Sequence, residues 1–309
     1  MQEHDSTIAI IMATFNGSQY LKEQLDSIIN QTYSNWTLHI TDDGSTDETL
    51  EIIKEYQKIY NNKIITLVKG PQKGFVENFL SLTDDNQIHA DYYAFSDQDD
   101  IWFPTKLSHS LNIISQYDQN IPTLYGSRSI IVDKFNTQKG ISIFTNVNSP
   151  NFSNSLIQNF SSGNTMLFNN PARDLIRVGH NLNPFAHDWW AYLMVTGSGG
   201  RIHNDPEPTV RYRQHSDNLI GFKKMSLWQR LNRFFYGCHK QQISQNMNAL
   251  SHCSNLLSEY NYEIYKEFLK FRDGSDVING LKFIKKYNLR ELQCNGRRKL
   301  YIKYLLRRF

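Results

Sequence analysis

The chain has 309 residues, is 39% hydrophobic and 13% aromatic, and carries a formal net charge of +3. That apolar content excludes a disordered chain, and the length supports one large α/β domain with an appendage, or two small domains. No run reaches the roughly 18 apolar residues of a membrane span, and the opening MQEHDSTIAIIMATFNG reads as a strand, not a signal peptide.

TIAIIMATFNG predicts a buried strand ending in a turn, because Asn16-Gly17 favours positive φ. SQYLKEQLDSIINQTY follows as a helix with Leu21, Leu25, Ile28 and Ile29 on one face and Ser18 as N-cap. WTLHITDDGSTDETLEIIKEYQKIY repeats the plan: a strand to Thr41, a polar turn, then a helix carrying Leu50, Ile53 and Tyr56. IITLVKG is a third strand, FVENFLSLT a helix, and DYYAFSDQDD a fourth strand ending in acids. This alternation predicts a parallel, Rossmann-like doubly wound sheet, whose ligands bind at the carboxyl ends of the strands. ATFNG, TDDGS and SDQDD all fall at such ends.

After Leu107, TLYGSRSIIVD and NTMLFNN predict strands, and HDWWAYLMVTGSG a short helix with Trp189, Leu193 and Val195 inward. Pro206 and Pro208 precede a further strand, and from Ser226 the pattern is helical to the end, with breaks near Gly274 and Gly280. Between Lys282 and Phe309, ten basic residues face Glu291 alone, a net +9 that leaves −6 on the preceding 281 residues. Cys238, Cys253 and Cys294 are odd in number and lack metal-ligand spacing, which predicts a reducing, cytosolic compartment.

Four constellations can carry chemistry. Asp97-Gln98-Asp99 places two carboxylates on one side of an extended strand end, about 6 to 7 Å apart. Hard oxygen ligands in partial number suit Mg²⁺ or Mn²⁺; the plainer reading is an acidic turn in which Asp100 caps the helix after Pro104. Asp42-Asp43-Gly44-Ser45 can bind a base or ribose through Asp43, or form an Asx turn with Ser45 or Thr46 opening a capping box. His187-Asp188-Trp189-Trp190 sets an acid in a partly apolar place, fit for a general base, beside indoles that can stack on sugars. Its alternative is a helix N-cap followed by core aromatics. Arg211, Arg213 and His215 alternate on one strand face, where the arginines can meet a diphosphate and His215 a divalent ion, or form an ordinary surface strand. P-loop, GxGxxG and GxSxG motifs are absent.

Together, IAIIMATFNGSQYLKEQLDSIINQTYSNWTLHITDDGSTDET and YYAFSDQDDIWFPTKL closely resemble the family 2 glycosyltransferases of the GT-A fold, over Thr7 to about Gly221. SDQDDIWFP, SSGNTMLFN, HDWW and YRQHSDNLIG are most similar to bacterial rhamnosyltransferases of surface-polysaccharide (O-antigen or capsule) assembly. The resemblance implies a catalytic domain over 1–221, with a nucleotide-sugar half to about 107 and an acceptor half beyond, then a helical, basic extension over 222–309. It implies that Thr14, Phe15 and Asn16 line the nucleotide site, that Asp43 binds the base, and that Lys73, Gly74 and Asn78 lie near the nucleotide. Asp97, Gln98 and Asp99 become the DxD element. Asp99 and His215 hold Mn²⁺ or Mg²⁺, and Asp97 and Asp100 support the ribose or the metal's waters. Asp188 is the implied catalytic base of an inverting transfer, with Trp189 and Trp190 shaping the acceptor site beside His187, where many relatives carry Glu.

The implied donor is dTDP-rhamnose, with UDP-glucose, UDP-galactose or UDP-GlcNAc as the alternative, and a non-catalytic sugar-nucleotide-binding protein as the rival class. The implied acceptor is a glycan on a polyprenyl diphosphate. RRKLYIKYLLRRF sets Leu300, Tyr301, Tyr304, Leu305 and Phe309 among basic residues. It reads either as an amphipathic helix on an anionic membrane, which places the protein at the cytoplasmic face, or as a helix packed on the domain. In the first reading, removal of 282–309 abolishes liposome binding and spares donor hydrolysis. Nucleic acid is not an expected partner, since the −6 body repels phosphate.

Overall fold

The computed structural model describes residues 5–142, 150–215, 238–273, 277–289, 300–302 and 304. Its first half follows the predicted alternation: β1 (Ile8–Thr14), α1 (Ser18–Ile29), β2 (Trp36–Asp42), α2 (Thr49–Ile59), β3 (Ile64–Lys69), α3 (Phe75–Thr83) and β4 (Tyr92–Ser96). β1 pairs in parallel with β2 and β4, and β2 with β3. A continuous apolar run suits that central place, because both faces of β1 are covered. Ile8, Ile10 and Met12 enter one core with Leu21, Leu25 and Ile28 of α1; Ala9 and Ile11 enter the other with Phe79 and Leu80 of α3.

Two expected caps do not form. Ser18 is already helical, and its N–H donates to Asp47 Oδ2 at 3.0 Å. Neither Ser45 nor Thr46 caps α2, which opens after Glu48; Thr49 N donates to Asp47 Oδ1 at 3.1 Å. One acid, Asp47, therefore serves the first turns of two helices, where negative charge is favoured.

The second half contains β5 (Ile101–Trp102), α4 (Lys106–Ile114), β6 (Thr123–Asp133), β7 (Gln138–Ile141), α5 (Phe152–Ser155), β8 (Leu167–Asn169), α6 (Asn170–Ile176), α7 (His187–Gly197) and β9 (Arg201–Gln214). Among the described residues the strands form one sheet, ordered β3-β2-β1-β4-β8-β6-β9-β5 with β7 on β6. β8 is antiparallel to β4 and β6, whereas β6 and β9 run parallel. β9 begins earlier than predicted and runs through Pro206 and Pro208. Its register against β6 shifts on both sides of Arg128, which faces Pro208, and this irregularity accommodates residues that cannot donate to a ladder. α7 is buried around nearly its whole circumference, Asp188 excepted, instead of on one face.

α8 (Cys238–Ser251), α9 (Glu259–Asp273) and α10 (Val277–Lys286) complete the chain. Ile243, Met247, Phe268 and Ile284 join the cluster that holds Phe79 and Trp190, so these helices extend the core beneath the sheet. Gly280 does not break a helix. It lies inside α10, where the missing Cβ makes room for the Tyr304 ring. Leu300 and Tyr304 are buried, and Tyr304 stacks on Phe271 with centroids 4.4 Å apart. At these positions the apolar side of the tail meets protein, contrary to the membrane-facing arrangement; residues 290–299, 303 and 305–309 lie outside the described residues. Removal of 282–309 would also strip Phe283, Ile284 and Leu289 from the core, so the truncation cannot be expected to spare activity. No helix among the described residues is long and apolar enough to cross a membrane.

Candidate active site

A cleft of about 1010 Å³ opens at the carboxyl ends of β1, β2 and β4. At the end of β1 the Thr14 hydroxyl donates to Asp42 Oδ2 at 2.8 Å. Asp42 also accepts from Gly44 N at 3.0 Å, from Ser45 N at 2.8 Å and from Ser45 Oγ at 2.6 Å, so it builds the turn and is spent there. The turn presents Asp43 to the cleft, half-buried, where its two oxygens accept from Gln72 N at 2.6 Å and Gly74 N at 3.1 Å. A carboxylate has about four acceptor positions, so capacity remains for a ligand's N–H or hydroxyl. Gly44 and Gly74 sit at φ +96° and +92°, which only glycine adopts without strain.

Asn16, at φ 47°, splices the two turns: its N–H donates to Ser45 Oγ at 2.8 Å and its Oδ1 accepts from Thr46 N at 2.8 Å. Asn78 ties α3 to the strand ends, accepting from Thr41 Oγ1 at 2.9 Å. Phe15 stands out, 55% exposed on the cleft rim. Gln98 fixes it by pairing with its backbone, accepting from Phe15 N and donating to Phe15 O, each at 2.9 Å. Lys73, between the lining residues Gln72 and Gly74, is exposed and reaches Asn181 Oδ1 at 3.4 Å.

The acids divide. Asp97 and Asp99 line the cleft. Loss of water around Asp97, then the charges of Asp100, Asp99 and Asp188, hold its carboxyl well above the usual range. Asp99 Oδ2 lies 2.8 Å from His215 Nε2, and the His215 ring packs on Tyr20 at 4.9 Å. Asp100 departs from expectation. It is fully buried off the cleft, accepts from Asn164 Nδ2 and from Arg213 N at 3.0 Å, and caps no helix; Thr105 precedes α4. Burial and the neighbouring Asp99 push it up to about 8.

Neither Arg211 nor Arg213 turns its guanidinium into the cleft lining. Arg211 binds Asn136 through Nε at 2.6 Å, and Arg213 is 1% exposed, donating to Asp99 O, Lys134 O and Glu23 Oε2 at 3.0, 3.0 and 2.6 Å. The residue between them, Tyr212, lines the cleft instead, and burial followed by the surrounding carboxylates raises its phenol. Strand alternation carried this signal, since Tyr212 must face opposite to Arg211 and Arg213. Tyr20 and Phe75 also line the cleft, and the sequence reading assigned neither to the site.

Across the cleft, α7 delivers Asp188 in its first turn. Its carboxylate accepts from Trp189 N at 2.7 Å and Gly163 N at 3.2 Å, yet burial outweighs these bonds and pushes it up to about 6. Trp189 and Trp190 are not an acceptor platform. They are 4% and 0% exposed, and their indole N–H groups donate to Ser155 O at 2.6 Å and Ile176 O at 3.0 Å. Aromatics this large on a helix buried everywhere but at Asp188 are held by the core. His187 remains at the cleft wall. Among the described residues no group of three or more His, Cys, Asp or Glu side chains converges as a ready metal cage.

The sequence model of a family described as glycosyl transferase family 2 matches residues 9–176, more than half of the chain. A dTDP-rhamnosyl transferase, RfbG, from Shigella flexneri is 31% identical over 260 residues, covering 78% of this chain and 84% of the relative. In fold, the chain is similar to S. aureus TarS 1-349 in complex with UDP-GlcNAc, with a TM-score of 0.54, 14% identity, and 97% and 92% of the two chains covered. It is likewise similar to GalNAc-T7 with UDP, GalNAc and Mn²⁺, at a TM-score of 0.56, 13% identity, and 92% and 55% coverage. A mostly parallel sheet with its cleft at the strand ends, and acids delivered there from β4 and α7, thus coincide with a family match. The chain belongs to glycosyl transferase family 2 and is a glycosyltransferase of the GT-A fold.

Proposed function

We propose that the chain is an inverting transferase that moves L-rhamnose from dTDP-rhamnose onto a lipid-linked glycan in bacterial surface-polysaccharide assembly. The observation that carries this reading is the meeting of Asp97, Asp99, His215 and Asp188 in one cleft beneath Phe15. The similarity to RfbG supports the choice of sugar. Phe15 offers an aromatic face to the base, and Asp43 keeps acceptor capacity for its N–H or for a ribose hydroxyl. Asp99 and His215 offer a hard oxygen and an imidazole nitrogen 2.8 Å apart, a donor set that fits Mn²⁺ or Mg²⁺ completed by phosphate and water. Such an ion supplies charge compensation for the departing nucleoside diphosphate.

Asp188 takes the proton of an acceptor hydroxyl while that oxygen bonds to the anomeric carbon. The bond from that carbon to the diphosphate breaks, and its electron pair leaves with the nucleoside diphosphate. One displacement inverts the configuration. A carboxyl raised to about 6 is ionised at neutral pH and basic enough to hold the proton in transit. The basic tail is the proposed contact with an anionic membrane bearing the acceptor, outside Leu300 and Tyr304, which face the core.

The test is a thermal-shift screen of dTDP-rhamnose, UDP-glucose, UDP-galactose, UDP-GlcNAc and GDP-mannose, each with Mn²⁺, Mg²⁺ or EDTA. Stabilisation by dTDP-rhamnose that EDTA removes is the expected result. A shift with a UDP-hexose alone replaces the donor, a shift that ignores EDTA removes the metal, and no shift at all overturns the reading.

A further inference from the structure

The wall beside Asp188 is formed by Phe75, Phe79 and His187, with Gly163 closing in on the imidazole. The imidazole stacks on Phe79 with centroids 3.9 Å apart and meets Phe95 edge-on at 4.8 Å. His187 is 5% exposed, and among the described residues neither ring nitrogen has a hydrogen-bond partner. Buried polar atoms are nearly always paired, and each orphan calls for an explanation. Two orphans on one ring that lines a substrate-sized cleft point to the substrate as the missing partner. Nε2 is turned toward Gly163: a Cβ added there would stand 2.5 Å from it. Any larger residue at that position would crowd the nitrogen. Burial among rings pushes the imidazole down to about 3, so at neutral pH it offers one donor and one acceptor and no charge.

We propose that His187 reads one hydroxyl of the transferred sugar while Phe75 and Phe79 carry an apolar edge of the same ring. The substrate class is a neutral sugar with a deoxygenated edge, such as the methyl-bearing side of a 6-deoxyhexose. An acidic sugar is disfavoured there, because Asp188 is the next residue, Asp97 lies close enough to feel its charge, and among the described residues lining the cleft there is no Lys or Arg. This inference rests on the donor reading above and gives His187 the role of a specificity-determining residue.

The experiment measures, with the full chain in Mn²⁺, how much tighter each nucleotide sugar binds than its bare diphosphate. The pairs are dTDP-rhamnose with dTDP, UDP-GlcNAc with UDP, and GDP-mannose with GDP. The wild type is compared with His187→Phe, which keeps a ring without nitrogens, and His187→Gln, which keeps a donor and an acceptor. The expected result is a sugar-dependent gain for dTDP-rhamnose that falls about tenfold in H187F, returns in H187Q, and leaves dTDP binding unchanged. A gain that survives H187F overturns the inference and leaves the donor reading standing. Equal losses for sugar and bare diphosphate make His187 a packing residue and overturn it as well. If the wild type shows no gain with any pair, it is the donor reading that fails, and this inference falls with it.

Discussion

Asp188→Asn should make the protein more stable above pH 6 while it removes transfer. The carboxyl is raised to about 6 from the usual 3.8, and each unit is worth 1.36 kcal/mol, so ionising it in the folded state costs about 3 kcal/mol. The sign follows from the raised value. The folded state holds this proton more tightly than the unfolded chain, so the group's contribution is fully present below about pH 4 and lost as pH rises through about 6. Asn carries no charge and escapes that loss. It keeps one oxygen for Trp189 N or Gly163 N but sets an amide against the other, which costs about 1 kcal/mol. The variant should therefore gain about 2 kcal/mol at pH 8 and lose about 1 kcal/mol near pH 4. Urea denaturation of both proteins at pH 4.5, 6 and 8 reads the difference, to which Asp97, relieved of the Asp188 charge, adds in the same direction. Transfer should fall at least about 10²-fold, with donor affinity nearly intact. A stability difference that does not change with pH would refute the electrostatic account of Asp188, and donor affinity falling together with rate would refute its role as base.

Three other substitutions separate binding from packing. Gln98→Ala removes both hydrogen bonds that fix the Phe15 backbone, and calorimetry should show donor affinity about tenfold weaker with the melting temperature little changed. Asp99→Asn should abolish the Mn²⁺-dependent part of donor stabilisation in the thermal-shift assay; full retention would dissociate the Asp99–His215 pair from the metal. Trp190→Ala should cost about 4 kcal/mol in denaturant unfolding, as core truncations of tryptophan do. A folded, fully stable Trp190→Ala protein with lost acceptor use would restore that indole to the acceptor site.

The first four strands and three helices are legible in the sequence because a continuous apolar run, a polar turn and a helical period recur three times before Ser96. The positions of Phe15, Asp43, Asp97 and Asp99 at strand ends follow from that alternation alone, since a parallel sheet sends successive turns to one edge. What sequence spacing could not supply is the direction of each side chain. Asp99 and Asp100 are neighbours, yet one lines the cleft and the other is consumed by Asn164 and Arg213, a distinction set by β9 crossing from far along the chain. Trp189 and Trp190 look costly beside an acid only while α7 is imagined at a surface. Helices packed on both sides make the same residues ordinary core. The prolines of β9 likewise hid a strand, because the bulge that tolerates them belongs to its pairing with β6.

Arg213 has a mechanical consequence. Its guanidinium, 4.6 Å over the Tyr20 ring, joins Glu23 of α1, the Asp99 carbonyl and the Lys134 carbonyl after β6. Those groups come from the first part of the chain and from the second, so one buried cation rivets the halves together under the cleft. Parting them would leave that charge unpaired in the interior, a penalty of several kcal/mol. A substitution at Arg213 would therefore disturb both parts of the chain at once, and with them the Asp99 backbone beside the cleft.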